Sequence, residues 1–277
     1  MENSKIGWTD HTLNPWRGCT KVSAGCQNCY AEEQQARYNG AKWGDDQPRI
    51  IAAESSWKNP IKWNKDAAAA GIRARVFCAS LADVFEDRPE LVAPRERLFH
   101  LIEATPHLDW LLLSKRPENM QRLTPPTWAA GWPENAWAMC TVEDQVQAKK
   151  RIPHLMQVPA KVRGVSVEPM LGPVNLANHA VDNAYDMVLQ YNEDGTPSLY
   201  EEMNSSHIGL DWVICGGESG DKHRPFDLAW ARDLEHQCMA ERVAFFMKQL
   251  GGFPDKKDQL EDLPADLQKR QWPGGHP

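Results

Sequence analysis

The 277-residue chain has no apolar run that approaches the roughly 18–20 residues needed to cross a bilayer. Its first residues, MENSKIGWTD, are polar and carry no hydrophobic stretch that would mark a secretion signal. There is no even set of cysteines: the count is seven, which does not suit a disulfide framework. The expectation is a cytoplasmic protein with reduced thiols and no membrane partner. Excess positive charge is also missing. The formal net charge is −7, which argues against a protein that coats nucleic acid through bulk charge but leaves room for a local basic cleft. No internal repeat, low-complexity tract, P-loop or Ser-His-Asp motif is visible, although partners distant in sequence would not show.

Apolar residues make up 42% and charged residues 25%, as in an ordinary globular protein with a large core. Twelve tryptophans are many for this length. Their ordinary use is as core and loop anchors, and base stacking is the less common alternative. Short apolar runs recur: RVFCAS (75–80), DWLLLS (109–114), AWAMCTV (136–142), VRGVSVEP (162–169), DWVICGGES (211–219) and AFFMKQLG (244–251). They are near-continuous rather than alternating, as in strands buried on both faces of a parallel sheet. Helical stripes lie between them, for example Leu91, Leu98, Phe99, Leu101 and Ile102, or Leu228, Ala231, Leu234 and Cys238. A further strand is expected in HTLNPWRG. The pattern predicts an α/β fold, a full or partial parallel (β/α) barrel of about six to seven strands. A doubly wound open sheet is the alternative. Residues 1–252 form the expected barrel domain, interrupted by an insertion at about 178–209. Within it VLQYNEDGTPSLY reads as a hairpin turning at Asp194-Gly195. Residues 253–277 are expected to be a loosely packed tail.

In either architecture function belongs at the C-terminal strand ends, and these ends are polar. They carry Ser80 and Asp83, then Ser114, Lys115 and Arg116, then Thr141 and Glu143, then Ser166 and Glu168. The last two bear Gly216, Gly217, Glu218 and Ser219, and Lys248 and Gln249. Polar groups gathered at one end of a buried sheet are costly unless they bind something, although each alone could serve as a cap or ion pair. The glycines of GGES would let backbone N–H groups cradle a carboxylate or phosphate. The remaining chemistry is in NPWRGCTKVSAGCQNCYAE (14–32), where Cys19, Cys26 and Cys29 have the spacing C-x6-C-x2-C. The x2 pair suits two thiolates on one metal or cluster. Zinc would need a fourth ligand, for which His11 or Cys78 is the candidate. Three cysteines can instead hold three irons of a [4Fe–4S] cluster and leave the fourth open. Cys78, Cys140, Cys215 and Cys238 read as small buried hydrophobes.

Taken together, WTDHTLNPWRGCTKVSAGCQNCYAE, LLSKRPENM, AWAMCTVEDQ, VRGVSVEPMLGPVNL and DWVICGGESGDKHRPFDLAWARDLEHQC leading into FFMKQLG resemble a phage and bacterial family of three-Cys-motif proteins. That family is distantly similar to radical S-adenosylmethionine (SAM) enzymes of the spore photoproduct lyase branch. The resemblance covers about residues 6–251. It implies a [4Fe–4S] cluster on the three cysteines and SAM as co-substrate. Ser80, Asp83, Thr141, Gly216, Gly217, Glu218 and Ser219 are the cofactor-binding candidates, and Lys115, Glu168 and Lys248 the catalytic ones. The implied substrate is a nucleic acid base or nucleotide, and a separate three-Cys-motif partner protein is implied as well. The sequence departs from the usual radical SAM pattern. The first cysteine gap is six residues rather than three, Asn28 precedes the last cysteine, and the Gly-Gly-Glu follows the sixth predicted strand rather than the second. The competing readings are a non-catalytic zinc or iron–sulfur protein that binds nucleic acid or a protein, and a metal-independent hydrolase built on the strand-end carboxylates.

Overall fold

The computed structural model describes residues 1–38, 40–177, 185–191, 197–203, 209–252, 254 and 256–275. In chain order the elements are β1 (His11–Thr12), β2 (Trp16–Arg17), α1 (Tyr30–Arg37), β3 (Ile50–Ile51), α2 (Glu54–Ala70), β4 (Ala74–Cys78), α3 (Val92–Glu103), β5 (Leu108–Ser114), α4 (Met120–Leu123), β6 (Ala136–Thr141), α5 (Gln145–Met156), β7 (Arg163–Val167), β8 (Tyr185–Tyr191), β9 (Pro197–Met203), β10 (Trp212–Gly216), α6 (Leu228–Ala240) and β11 (Ala244–Gln249).

Seven strands form one sheet in the order β1-β4-β5-β6-β7-β10-β11, and every neighbouring pair in it is parallel. Each new strand joins the same growing edge. Such single winding through right-handed crossovers puts the helices on one face and curls the sheet into a partial barrel. The doubly wound alternative is therefore excluded, because it would reverse the strand order part-way. β1 and β11 are the edges and do not pair with each other.

Alternation along the strands separates two apolar layers. Val76, Trp110, Ala138, Val165, Val213 and Phe245 belong to the large layer that includes Leu98, Ile152 and Leu234 of the helices. Phe77, Leu111, Trp137, Met139, Trp212, Ile214 and Phe246 fill the concave side with Trp8. Both faces are buried, which is why the strands read as near-continuous apolar runs. Nine tryptophans are at most 7% exposed, so core packing is the main use of this residue here. Asp144 caps α5 by accepting from Gln147 N, and Asp227 caps α6 by accepting from Ala229 N.

Between β7 and β10 the chain forms the antiparallel pair β8–β9 with Tyr191 opposite Pro197, as expected of a hairpin. Its predicted turn at Asp194-Gly195 lies outside the described residues. The tail differs from the loose packing expected of it. Leu263 and Leu267 are buried, Met247 N donates to Lys269 O, and Gln271 N donates to Phe245 O. The tail thus runs along the free edge of β11. Trp272 packs on Phe246, and the Arg75 guanidinium of β4 lies 4.5 Å from its ring centre. The tail is held because it satisfies an open sheet edge. No helix among the described residues is long and apolar enough to cross a membrane.

Candidate functional site

Above the aromatic layer, at the C-terminal strand ends, lies a cavity of about 460 Å³. Its walls include Cys19, Cys26, Cys29, Ser80, Asp83, Lys115, Thr141, Glu168, Gly217, Glu218, Ser219 and Lys248. The structure thus brings together twelve of the thirteen residues to which the resemblance gives a metal, cofactor or catalytic role; Gly216 does not line the cavity. Its floor includes Trp8, Phe77 and Leu113.

The cysteines lie on the segment between β2 and α1, and that segment is pinned at three places. Asp83 is buried, with Oδ1 accepting from Ser114 Oγ (2.6 Å) and Oδ2 accepting from Lys115 N (3.0 Å) and Arg116 Nη1 (2.9 Å). Arg116 in turn donates to Thr20 O (2.8 Å) and, at 3.7 Å, to Cys19 Sγ. Arg49, paired with both oxygens of buried Glu86 (2.8 and 2.7 Å), donates to Thr20 Oγ1 (2.8 Å). The middle of the loop rests on Glu143, which is fully buried, accepts from Ser23 Oγ (2.7 Å) and pairs with Arg151 (2.8 Å). Gly25 is small of necessity, since a Cβ there would lie 2.3 Å from Glu143 Cγ. At the far end Glu218 accepts from Asn28 Nδ2 (3.2 Å) and from Arg224 Nε (2.8 Å) and Nη2 (2.5 Å), while Arg224 Nη1 donates to Ala24 O (3.0 Å). Burial alone raises the Glu218 carboxyl, but these hydrogen bonds outweigh it and hold the group below the ordinary carboxylate range.

Asp83 and Glu218 therefore hold the loop and its arginines. The glycines also differ from expectation. The Gly217 N–H donates to Gln249 O (3.1 Å) and so is not free to cradle an anion. A Cβ on Gly217 would lie 2.3 Å from Leu250 O, so close packing of the β10 and β11 ends explains this glycine. The groups turned to other uses leave a shorter set facing the cavity. Glu168 and Lys248 pair with each other. Among the described residues, Lys115 Nζ and the hydroxyls of Thr141 and Ser166 make no hydrogen bond or ion pair. Arg49, Glu86, Arg151, Arg224 and Trp8 were not singled out in the sequence. Arg49, Glu86 and Arg151 lie outside the quoted motifs, and Trp8 and Arg224, although inside them, carry no positional signal as single residues.

Three soft thiols on one cavity wall suit a metal or cluster. Among the described residues no three His, Cys, Asp or Glu side chains converge as a ready metal site. Cys19 is pushed up to about 12 by burial, with Asp83 adding to it, so metal entry there must displace a proton. Burial also raises Cys29, and backbone N–H groups of Glu32 and Ala31 at the start of α1 oppose that rise. The donor set fits a thiolate-bound group in chemistry, and all three thiols line the one cavity, although their side chains would have to draw together around it. A fourth zinc ligand is not supplied as expected: His11 stacks on Trp63 (4.4 Å), Cys78 is fully buried in the sheet, and neither lines the cavity. No described histidine lines it either, which leaves a Ser-His-Asp hydrolase without its base.

No curated protein matches the chain. Among solved structures, a spore photoproduct lyase variant with bound AdoMet and dinucleoside spore photoproduct matches at 13% identity and a TM-score of 0.45, covering 61% of this chain and 48% of that one. Another variant of the same lyase matches at 15% identity and a TM-score of 0.45, with the same coverage. The chain spans about half the length of these lyases, and likeness at this level transfers no residue or activity. A family model matches residues 3–274, and the chain accordingly belongs to the family described as "Protein of unknown function (DUF5131)".

Proposed function

We propose that the chain is a [4Fe–4S] enzyme of the radical SAM type acting on a nucleic acid base or nucleotide. One observation supports the reading: Cys19, Cys26 and Cys29 all line one cavity at the polar strand ends of a singly wound, partial parallel barrel. The choice of SAM and of a base comes from the motif resemblance. When bound, the cluster would supply single-electron chemistry to SAM at an iron that no cysteine ligates.

The chain's own residues hold and orient. Cys19, Cys26 and Cys29 would ligate the cluster. Lys115, in no ion pair among the described residues, binds a carboxylate or phosphate. The Glu168–Lys248 pair presents an acceptor and a donor on one wall, and Thr141 and Ser166 add hydroxyls. Trp8, Phe77 and Leu113 close the floor to water. Asp83, Glu86, Glu143 and Glu218 fix the cysteine loop through arginines, which keeps the thiols at the cavity wall.

The test is anaerobic reconstitution with iron and sulfide, followed by SAM and dithionite. The expected result is cluster absorbance and release of 5′-deoxyadenosine. Both are lost when Cys19, Cys26 and Cys29 are all serine. Stoichiometric zinc without iron in anaerobically purified protein would overturn the reading, as would a cluster retained in the triple variant.

A further inference from the structure

Gln249 closes β11 and is 1% exposed. Its Nε2 donates to Gly217 O at 2.8 Å, and its own carbonyl accepts from Gly217 N at 3.1 Å. The second bond is main chain to main chain; the first fixes which end of the carboxamide is which, because turning it over would set oxygen against oxygen. The side chain lies against Gly216, where a Cβ would come within 3.3 Å of Gln249 Cγ. Held this way, Oε1 has no hydrogen-bond partner, and it is the one buried side-chain oxygen without a partner among the described residues. Gln249 lines the cavity together with Trp8, Phe77, Leu113 and Ser166. An acceptor locked in place and left unsatisfied is costly unless a ligand completes it. Trp8, Phe77 and Leu113 make that part of the lining apolar and aromatic, which suits a ring.

We propose that Gln249 is a substrate-recognition residue that accepts a hydrogen bond from an N–H on the edge of a heteroaromatic base seated against Trp8 and Phe77. The inference rests on the nucleotide reading above and adds the edge that is read. Base discrimination then comes from the seventh strand, apart from the cysteine loop. A base whose N–H is replaced by N-methyl leaves Oε1 unpaired and brings a methyl group against it.

The test is isothermal titration of the full chain, metal-free and reconstituted, with the four common nucleoside 5′-monophosphates. Counterparts methylated at the N–H edge (3-methyluridine, N4,N4-dimethylcytidine, 1,N2,N2-trimethylguanosine and N6,N6-dimethyladenosine monophosphates) are titrated alongside. The expected result is binding of a uracil, cytosine or guanine nucleotide, about tenfold weaker for its methylated form. Gln249→Leu weakens the unmethylated ligand by a similar factor and abolishes the discrimination. If that variant folds poorly, the wild-type comparison of the two ligand forms decides. Equal affinity for methylated and unmethylated forms overturns the proposal, and so does binding of none. Equal behaviour of a well-folded Gln249→Leu variant also overturns it and leaves Oε1 as a water site. Binding confined to adenine assigns the acceptor to the cofactor's adenosine and overturns the substrate assignment. The triple cysteine-to-serine variant keeps base recognition, so a failed reconstitution and a failed titration are separate results.

Discussion

Glu143→Ala tests whether the cysteine loop is held by buried charge. Glu143 is fully buried, Arg151 is 2% exposed, and their ion pair is 2.8 Å long. Arg151 has one other described acceptor, Thr141 O at 2.8 Å, and its Nε already lacks a partner. Removing Glu143 leaves a guanidinium in an apolar layer with a single carbonyl. Breaking a buried pair from one side costs about 3–5 kcal/mol. That is a large share of the roughly 5–15 kcal/mol that stabilises a typical domain. Ser23 loses its acceptor in the same step, so the loop around Cys26 is freed as well. The assay is urea unfolding of metal-free protein, with the alkylation rate of Cys26 as the local readout. The cycle is completed with Arg151→Met and the double variant. The double variant should be more stable than Glu143→Ala alone, because the stranded charge is gone, and the pair should show a coupling of about 2 kcal/mol. Alkylation should accelerate in Glu143→Ala. A loss under about 1 kcal/mol, or single effects that add to within about 0.5 kcal/mol, would refute the reasoning.

Gly217→Ala should destabilise by about 1–3 kcal/mol in the same urea assay, because its methyl meets the Leu250 carbonyl backbone. Gly216→Ala should cost less, since its nearest neighbour, at 3.3 Å, is the Gln249 side chain rather than backbone. Lys115→Met should leave metal-free stability within about 0.5 kcal/mol, since no hydrogen bond or ion pair among the described residues is lost, while nucleotide phosphate binding at low salt weakens severalfold. Burial raises the Cys140 thiol from 9.0 to about 12, and raises Cys78, Cys215 and Cys238 as well. The folded chain therefore keeps protons that the unfolded chain releases. This stabilisation is full below about pH 9 and fades as the pH approaches about 12. Melting temperature should fall across that window, less steeply in Cys140→Ala; an unchanged slope would count against buried thiols as the cause.

The strands were legible because burial on both faces writes an apolar run with no need of partners. The helical stripes were legible for the related reason that one face is enough. Leu98, Phe99, Leu101, Ile102, Ala231, Leu234 and Cys238 are all buried. The polar strand ends were legible as a set, and the cavity gathers them. Their individual roles were not. A carboxylate at a strand end looks the same whether it faces a ligand or an arginine. Asp83 is met by Arg116 and Glu143 by Arg151, pairings that depend on the fold rather than on spacing. The GGES glycines were read as an anion cradle because their N–H groups looked free, yet the end of β11 supplies Gln249 O, and the residue after it Leu250 O, to that place. The tail misled through its composition. Only Leu263 and Leu267 keep a helical spacing, too short a pattern to read as an element, and they are buried, with Trp272 partly buried, where the tail covers the open edge of β11.

The net charge of −7 and a nucleotide ligand are compatible for a local reason. Asp83, Glu168, Glu218 and Asp258 are the acidic residues that line the cavity, and each is paired with a cation: Arg116, Lys248, Arg224 and Lys256. Lys5 and Lys115 also line it and have no such partner among the described residues. The cavity therefore carries uncompensated positive charge in a chain that is acidic overall. Bulk repulsion disfavours lying along a long polyanion, while a short anion that enters the barrel mouth meets Lys115 in a partly desolvated site where attraction is least screened. On that balance a mononucleotide or a flipped-out base is favoured over a duplex surface. The distinction is measurable, because raising salt should weaken mononucleotide binding only slightly and should abolish whatever affinity the chain has for long duplex DNA.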